Sequence, residues 1–197
     1  MGINKKKKEM KIILGSESNA RKRVLKKMGY EFTVMPAHIN EKLIRFDDPV
    51  VLTLALANAK ADALLLKIKE SAILITADQV VVCNGKILEK PLKAKDAEEY
   101  LKMYAKYPAE TVTSVVVVNT ATDKRAEGTD KAEIWFNPIP SHIIKHYIEG
   151  KDPFYHSGGF DHQHQLLVEY VKEIKGEPES ISGLPWTLTE NLIKEVS

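Results

Sequence analysis

Ser16, Ser18 and Arg21 share one short stretch, GSESNAR (15–21), that follows an apolar run and leads into a basic segment. Two hydroxyls can donate hydrogen bonds, Gly15 lets a ligand approach the backbone, and the arginine presents a planar, permanently charged fork. If the stretch joins a strand to a helix, the free N–H groups and the positive end of that helix point at the same place. This chemistry suits a phosphate. It also suits an ordinary capped-helix loop, and neither the GxxxxGK[ST] of a P-loop nor the GxGxxG of a dinucleotide site is present.

Asp78, in TADQVV, raises a sharper question, because a carboxylate at the end of a β-branched apolar run needs a partner or an open strand end. Metal binding or base catalysis would use it there, and a capping or salt-bridged aspartate would explain it too. Glu41, Lys60 and the Glu89–Lys90 pair in LEKP add acids and ammonium groups. Such charges are ordinarily solvated. Carboxylates gathered with several cations nevertheless match a site for a magnesium-bound polyphosphate, in which the acids hold the ion and the cations neutralise phosphate oxygens. Histidines raise a different chemistry: His142 and His146 stand at i and i+4, and His156, His162 and His164 share one loop. Without an HExxH or paired-cysteine spacing, no zinc is assigned.

The elements that must position these groups follow from periodicity. KIIL (11–14) predicts a buried strand, and Asn19 to Met28 a helix capped by Ser18 and stopped by Gly29. From Pro49, Leu52, Leu56, Ala59, Ala63 and Leu66 mark one face of an amphipathic helix, with Lys60 beside it. AILITADQVVV, from Ala72, predicts a strand buried on both faces with Asp78 late in it; CNGKI predicts a hairpin turn, and KAKDAEEYLKMYA a helix. TVTSVVVVN is a second buried strand, NTATDKRAEGTD a polar link, and KAEIWF a third strand. PSHIIKHYIEG predicts a short helix capped by Ser141, KDPFYHSGGFDHQHQ is irregular, and the closing helix carries a capping box at Thr187 and Glu190. Strands alternating with helices, without a repeat, predict an α/β protein with a mixed twisted sheet flanked by helices.

Composition narrows the class. No apolar run approaches the roughly 20 residues that span a bilayer, and no secretory signal is expected. The net charge of +2 turns negative once Lys5 to Lys8 are set aside, so the body is not basic and a nucleic-acid partner is not expected. Residues 1–9 read as a mobile basic tail and 10–197 as one domain. The single cysteine, Cys83, allows no intramolecular disulfide and fits a reducing cytoplasm.

Taken in order along nearly the whole chain, from about Lys11, these stretches resemble the Maf family, nucleoside triphosphate pyrophosphatases related in fold to inosine triphosphatase. SESNAR stands where the family has SxSPRR, Glu41 of INEK where it has an acid after a short strand, and ANAKA where it has AxAKA. TADQVV answers to GAD(T/Q)VV and EKP to GKP, while AEIWF, SGGFDHQ and GLP follow as TxVxF, AGxYxxQ and the late GLP do. The resemblance implies an inosine triphosphatase-like fold with a central cleft. It implies Ser16, Ser18 and Arg21 as the phosphate-binding turn, Glu41 and Asp78 as metal ligands for Mg²⁺ or Mn²⁺, and Asp78, Lys60 and Lys90 as the catalytic set. Gln79 and Gln163 are the implied base-side polar groups, and a homodimer is the implied assembly.

Two family tendencies bear on substrate. Gln79 after the aspartate and Phe160 in SGGFD lean toward 7-methyl-GTP, whereas Gln163 leans toward dTTP and UTP. Departures are Asn19 for proline, Ala20 for the first paired arginine, Asn40 before Glu41, and Glu89 for glycine; Lys22 or Arg23 would have to replace the missing arginine. A different class of reading is a regulator of cell division that binds nucleotide or nucleic acid without turnover. Deleting residues 1–9 is expected to leave activity and melting temperature unchanged, since no apolar periodicity ties them to the body; calorimetry and an activity assay on the truncated protein check this.

Overall fold

The computed structural model describes residues 10–197; the predicted basic tail lies outside the described residues. A seven-stranded mixed sheet runs in the order β2-β1-β3-β5-β6-β7, with β4 pairing the far end of β3. The parallel part joins β1 (Lys11–Leu14) to β2 (Phe32–Val34) and to β3 (Ala72–Cys83). Antiparallel pairing then carries the sheet through β5 (Ala109–Asn119), β6 (Lys124–Phe136) and β7 (Val171–Lys175). β4 (Lys86–Leu88) folds back on β3 through Asn84 and Gly85, both at positive φ, as a two-residue hairpin requires.

The twofold period of β3 sorts the core. Ile73, Ile75 and Ala77 face α1 (Asn19–Lys27) and α6 (Trp186–Val196), packing with Leu14, Val24, Leu25, Leu184, Leu192 and Val196. Ala72 and Leu74 face the other way, onto Ala57, Ala61 and Leu64 of α2 (Pro49–Leu65). α3 (Ala94–Met103), α4 (Ser141–Glu149) and the one-turn α5 (Pro178–Ile181) complete the helices, and a third cluster joins Leu101 and Tyr104 to Phe136, Ile144 and Phe160.

Several predicted details are corrected. α2 buries Leu52, Thr53, Leu56, Ala57, Lys60, Ala61 and Leu64, while Leu66 is 79% exposed. The helix is apolar almost all round, so spacing alone could not choose the face; the face chosen is the one whose polar members find partners, Thr53 with Ser114 at 2.8 Å and Lys60 with Asp78. Lys60 is therefore in the buried face, not beside it, and Asp78 sits in the middle of β3, not late in it. Only residues 120–123 of the polar link form a turn; residues 124–130 extend KAEIWF into one long strand paired with β5. Its polarity reflects the partly open outer face of the sheet.

Ser141 is the first residue of α4 and makes no capping bond, Pro140 taking the cap position. No capping box forms at Thr187 either, because α6 starts after Pro185 and the Thr187 N–H donates to Glu177 instead, at 3.1 Å. β2 is the short strand that the resemblance places ahead of Glu41, while β7 and α5, short and half polar, carry no clear period. The Ser18 cap does form, its Oγ accepting from the Arg21 N–H at 3.4 Å, and Gly29 ends the helix at φ 85°.

Gly15 is where β1 hands over to the turn before α1. A Cβ there would meet Thr76 Cγ2 at 2.6 Å, Leu64 Cδ1 at 2.8 Å and the Ile75 carbonyl at 3.3 Å. Gly15→Ala is expected to cost about 1–3 kcal/mol by overpacking, lowering the melting temperature by several degrees. It should also displace Ser16 and cut activity; calorimetry and kinetics on the variant check both.

Candidate active site

A cleft of about 820 Å³ opens between α2, the turn after β1, the loop after β4 and the segment 152–162. Its centre is a buried ion pair. Lys60 and Asp78 are each 8% exposed, and Nζ lies 2.5 Å from Asp78 Oδ1. The same Nζ reaches Glu41 Oε1 at 2.9 Å, and Glu41 stands exposed on a single turn of 3₁₀ helix (Glu41–Leu43) at the lip. The even-numbered face of β3 is what aims Asp78 at α2, with Thr76, two residues earlier, anchored to the Ala57 carbonyl at 2.8 Å.

These surroundings drive the two carboxyls apart. Burial pushes Asp78 above its ordinary range, with Lys60 and Arg21 pulling against it. Glu41 feels burial as well, but Lys60, Lys90 and Arg21 together outweigh it and hold the carboxyl below its ordinary range. A carboxylate of raised basicity beside one that stays ionised is the pairing that acid–base chemistry uses.

Arg21 is held more tightly than a phosphate ligand on a loop would be. Its Nε donates to the Gly183 carbonyl at 2.9 Å, and its Nη1 to the Ala77 carbonyl at 2.8 Å and to Ser16 Oγ at 3.3 Å. Burial pushes the guanidinium below its ordinary value, opposed by Asp78 and Glu41. Ser16 Oγ also accepts from the Ser18 N–H at 3.2 Å, so the turn closes on itself. Gly15, Ser16, Ser18, Arg21 and the exposed Lys90 all line the cleft. Arg23 lines it too, paired with Asp161 at 3.5 Å, whereas Lys22 is not in the lining.

The base-side residues fare differently. Gln79 lines the cleft but its amide points to the opposite sheet face from Asp78, donating to Thr113 Oγ1 and to the Ser180 carbonyl, both at 2.8 Å. Gln163 is exposed and stands outside the cleft lining. Phe160 is 6% exposed and packs edge-on against Tyr104 and Phe136, at 5.3 and 5.4 Å between ring centroids, so its ring is committed to the core. Of the loop histidines, His156 and His162 face the cleft, while His164 packs edge-on against Tyr147, away from it. Their place in the cleft was not read from the sequence, where the same cluster pointed only to the zinc question.

Two oxygen donors, Glu41 and Asp78, share one lysine, and hard carboxylate oxygens with room for phosphate ligands fit Mg²⁺ or Mn²⁺ better than a thiophilic ion. The sequence match is with the family described as Maf-like protein, over residues 11–196. The chain belongs to the Maf-like family. A 7-methyl-GTP pyrophosphatase of Dictyostelium discoideum is 47% identical, covering 94% of this chain and 97% of that one. A dTTP/UTP pyrophosphatase of Carboxydothermus hydrogenoformans is 32% identical over 89% and 93% of the two chains. A nucleoside triphosphate pyrophosphatase of a Synechococcus strain is 30% identical over 94% and 93%.

Within this Maf-like chain the ion pair separates two kinds of damage. Asp78→Asn leaves Lys60 with Glu41 and should keep the melting temperature within a few degrees, while turnover falls roughly 10²- to 10⁴-fold. Lys60→Met strands a buried carboxylate and should cost about 3–5 kcal/mol of stability. Thermal unfolding alongside activity measurements on both variants checks the contrast.

Proposed function

We propose that this Maf-like protein is a nucleoside triphosphate pyrophosphatase that hydrolyses 7-methyl-GTP to 7-methyl-GMP and pyrophosphate. The observation that carries the reaction type is Lys60 held between Asp78 and Glu41 at the floor of a cleft that Arg21, Arg23 and Lys90 also line. The 47% identity to a 7-methyl-GTP pyrophosphatase, against 32% to a dTTP/UTP pyrophosphatase, supports the base.

Asp78, its basicity raised by burial, accepts a proton from the attacking water. The water oxygen bonds to the α-phosphorus, and the bond from that phosphorus to the bridging oxygen breaks, so that pyrophosphate leaves with the electron pair. Lys60 and Lys90 meet the charge that develops on the phosphate oxygens, and the Ser16–Ser18 turn binds them through hydroxyl and backbone donors. Arg21 keeps that turn fixed to β3 and to Gly183. Glu41 and Asp78 would hold Mg²⁺ or Mn²⁺, which would supply further charge neutralisation. A methylated guanine carries positive charge, and Tyr155, 70% exposed in the cleft lining, offers it an aromatic face.

A homodimer in the cytoplasm, without nucleic-acid or membrane partners, completes the reading. Among the described residues no helix is long and apolar enough to cross a membrane. A non-catalytic regulator would have little use for a buried lysine tying two carboxylates together. Pyrophosphate release from a panel of triphosphates is expected to give 7-methyl-GTP a higher kcat/KM than dTTP or UTP. Preference for the pyrimidines would overturn the base assignment alone, and no release from any triphosphate would favour the regulator.

A further inference from the structure

His162 is a polar group of the cleft that this mechanism leaves unused. It is only 8% exposed, yet it lines the cleft. Among the described residues no hydrogen bond reaches either ring nitrogen, and neither nitrogen is itself fully buried, so the polar edge of an otherwise enclosed ring keeps access to solvent. Asp161, beside it in sequence, also lines the cleft, its side chain 21% exposed. One Asp161 oxygen accepts from the Gln163 N–H at 3.0 Å, and the other lies 3.5 Å from Arg23 Nη2, the far limit of an ion pair. An unpartnered imidazole next to a loosely held carboxylate oxygen is an incomplete hydrogen-bonding set.

The neighbourhood decides which part of a nucleotide completes it. The charges around His162 are Asp161, Glu179 and Arg23, and Glu179 is itself paired with Lys27 at 2.6 Å. Each carboxylate answers one cation, Asp161 with Arg23 and Glu179 with Lys27, so no excess of positive charge favours a polyphosphate here, whereas Lys60, Lys90 and the Ser16–Ser18 turn stand elsewhere in the cleft. The same carboxylates welcome N–H donors and a base that carries positive charge. Burial holds the imidazole below its ordinary range, so near neutral pH it offers one donor and one acceptor. A guanine edge presents the complement, O6 as acceptor and N1–H and the N2 amino group as donors.

We propose that His162, with Asp161 beside it, reads the hydrogen-bonding edge of the base, an inference that rests on the 7-methylguanine reading above. The His162 N–H donates to O6, and the outer Asp161 oxygen accepts from the N–H groups of the same edge. This accounts for an otherwise enclosed imidazole whose polar edge has no protein partner.

Base and phosphates can be tested apart. 7-Methylguanosine probes the base alone and inorganic tripolyphosphate the phosphate sites alone, each by calorimetric titration with Mg²⁺ present. His162→Leu is expected to weaken 7-methylguanosine binding at least about tenfold while leaving tripolyphosphate binding within about twofold, and to raise the KM for 7-methyl-GTP more than it lowers kcat. His162→Gln, which keeps a donor and an acceptor, should recover part of the loss, and unchanged melting temperatures for both variants exclude misfolding as its source. Equal losses for both probes, nucleoside binding indifferent to His162→Leu, or a wild-type protein that does not bind 7-methylguanosine would each overturn the proposal. Because the nucleoside titration needs no turnover, failure of the pyrophosphatase reading would appear separately, as absent pyrophosphate release.

Discussion

The Lys60–Asp78 pair is the interaction on which the site depends. Removing two charges from water costs several kcal/mol per ion, and a well-packed apolar pair would serve stability as well or better. The exposed pairs of this chain, such as Lys102 with Glu98 at 2.5 Å, carry no comparable cost and contribute at most about 1 kcal/mol. What the buried pair adds is position. It links the middle of β3 to the middle of α2, and through Glu41 it draws the 3₁₀ turn at the lip onto the same ammonium group. A substrate that brings its own charge enters a network already under tension between burial and attraction.

Strand periodicity then distributes the work. On the even face of β3, Thr76 fastens to the α2 backbone and Asp78 to Lys60; on the odd face, Gln79 fastens to the Ser180 carbonyl. Arg21, reaching in from α1, ties the β3 backbone to the Gly183 turn by donating to the Ala77 carbonyl and to the Gly183 carbonyl. Gly183 is at φ 88°, and a Cβ there would lie 3.3 Å from Gln79 Oε1 and 3.4 Å from Arg21 Nε. The late GLP segment thus matters to the site through close backbone approach, although it holds none of the charged groups.

Where a residue's environment follows from its own segment, the sequence was readable. The buried runs of β1, β3 and β5 and the Ser18 cap are of this kind, and so is the suspicion that Asp78 must have a partner. Reading failed where a choice between equal faces was made by distant partners. α2 could have turned Ala59 and Ala63 inward, and only Asp78 and Ser114, on other elements, made the Thr53–Lys60 face the better one. The same limit governed the site: Ser16, Ser18, Arg21, Glu41, Lys60, Asp78 and Lys90 all line the cleft, but Gln163 does not. One residue's difference along an irregular loop separates it from His162, and no period exists there to reveal which of the two turns inward. Phe160 was legible as an aromatic near the cleft, not as a ring already enclosed by Tyr104 and Phe136.

The commitment of Arg21 to backbone carbonyls changes how the missing arginine at position 20 should be understood. Two of its three nitrogens are engaged by the protein, so its remaining charge acts on a ligand from within the wall of the cleft. The exposed cations of the cleft lining are Arg23, Lys42, Arg45 and Lys90, of which Arg23 is only loosely held by Asp161. On the base reading, the Asp161 oxygen that meets Arg23 is also the one available to a base N–H, so the two donors compete for a single acceptor, and the 3.5 Å length of the ion pair is what leaves that oxygen open to the base.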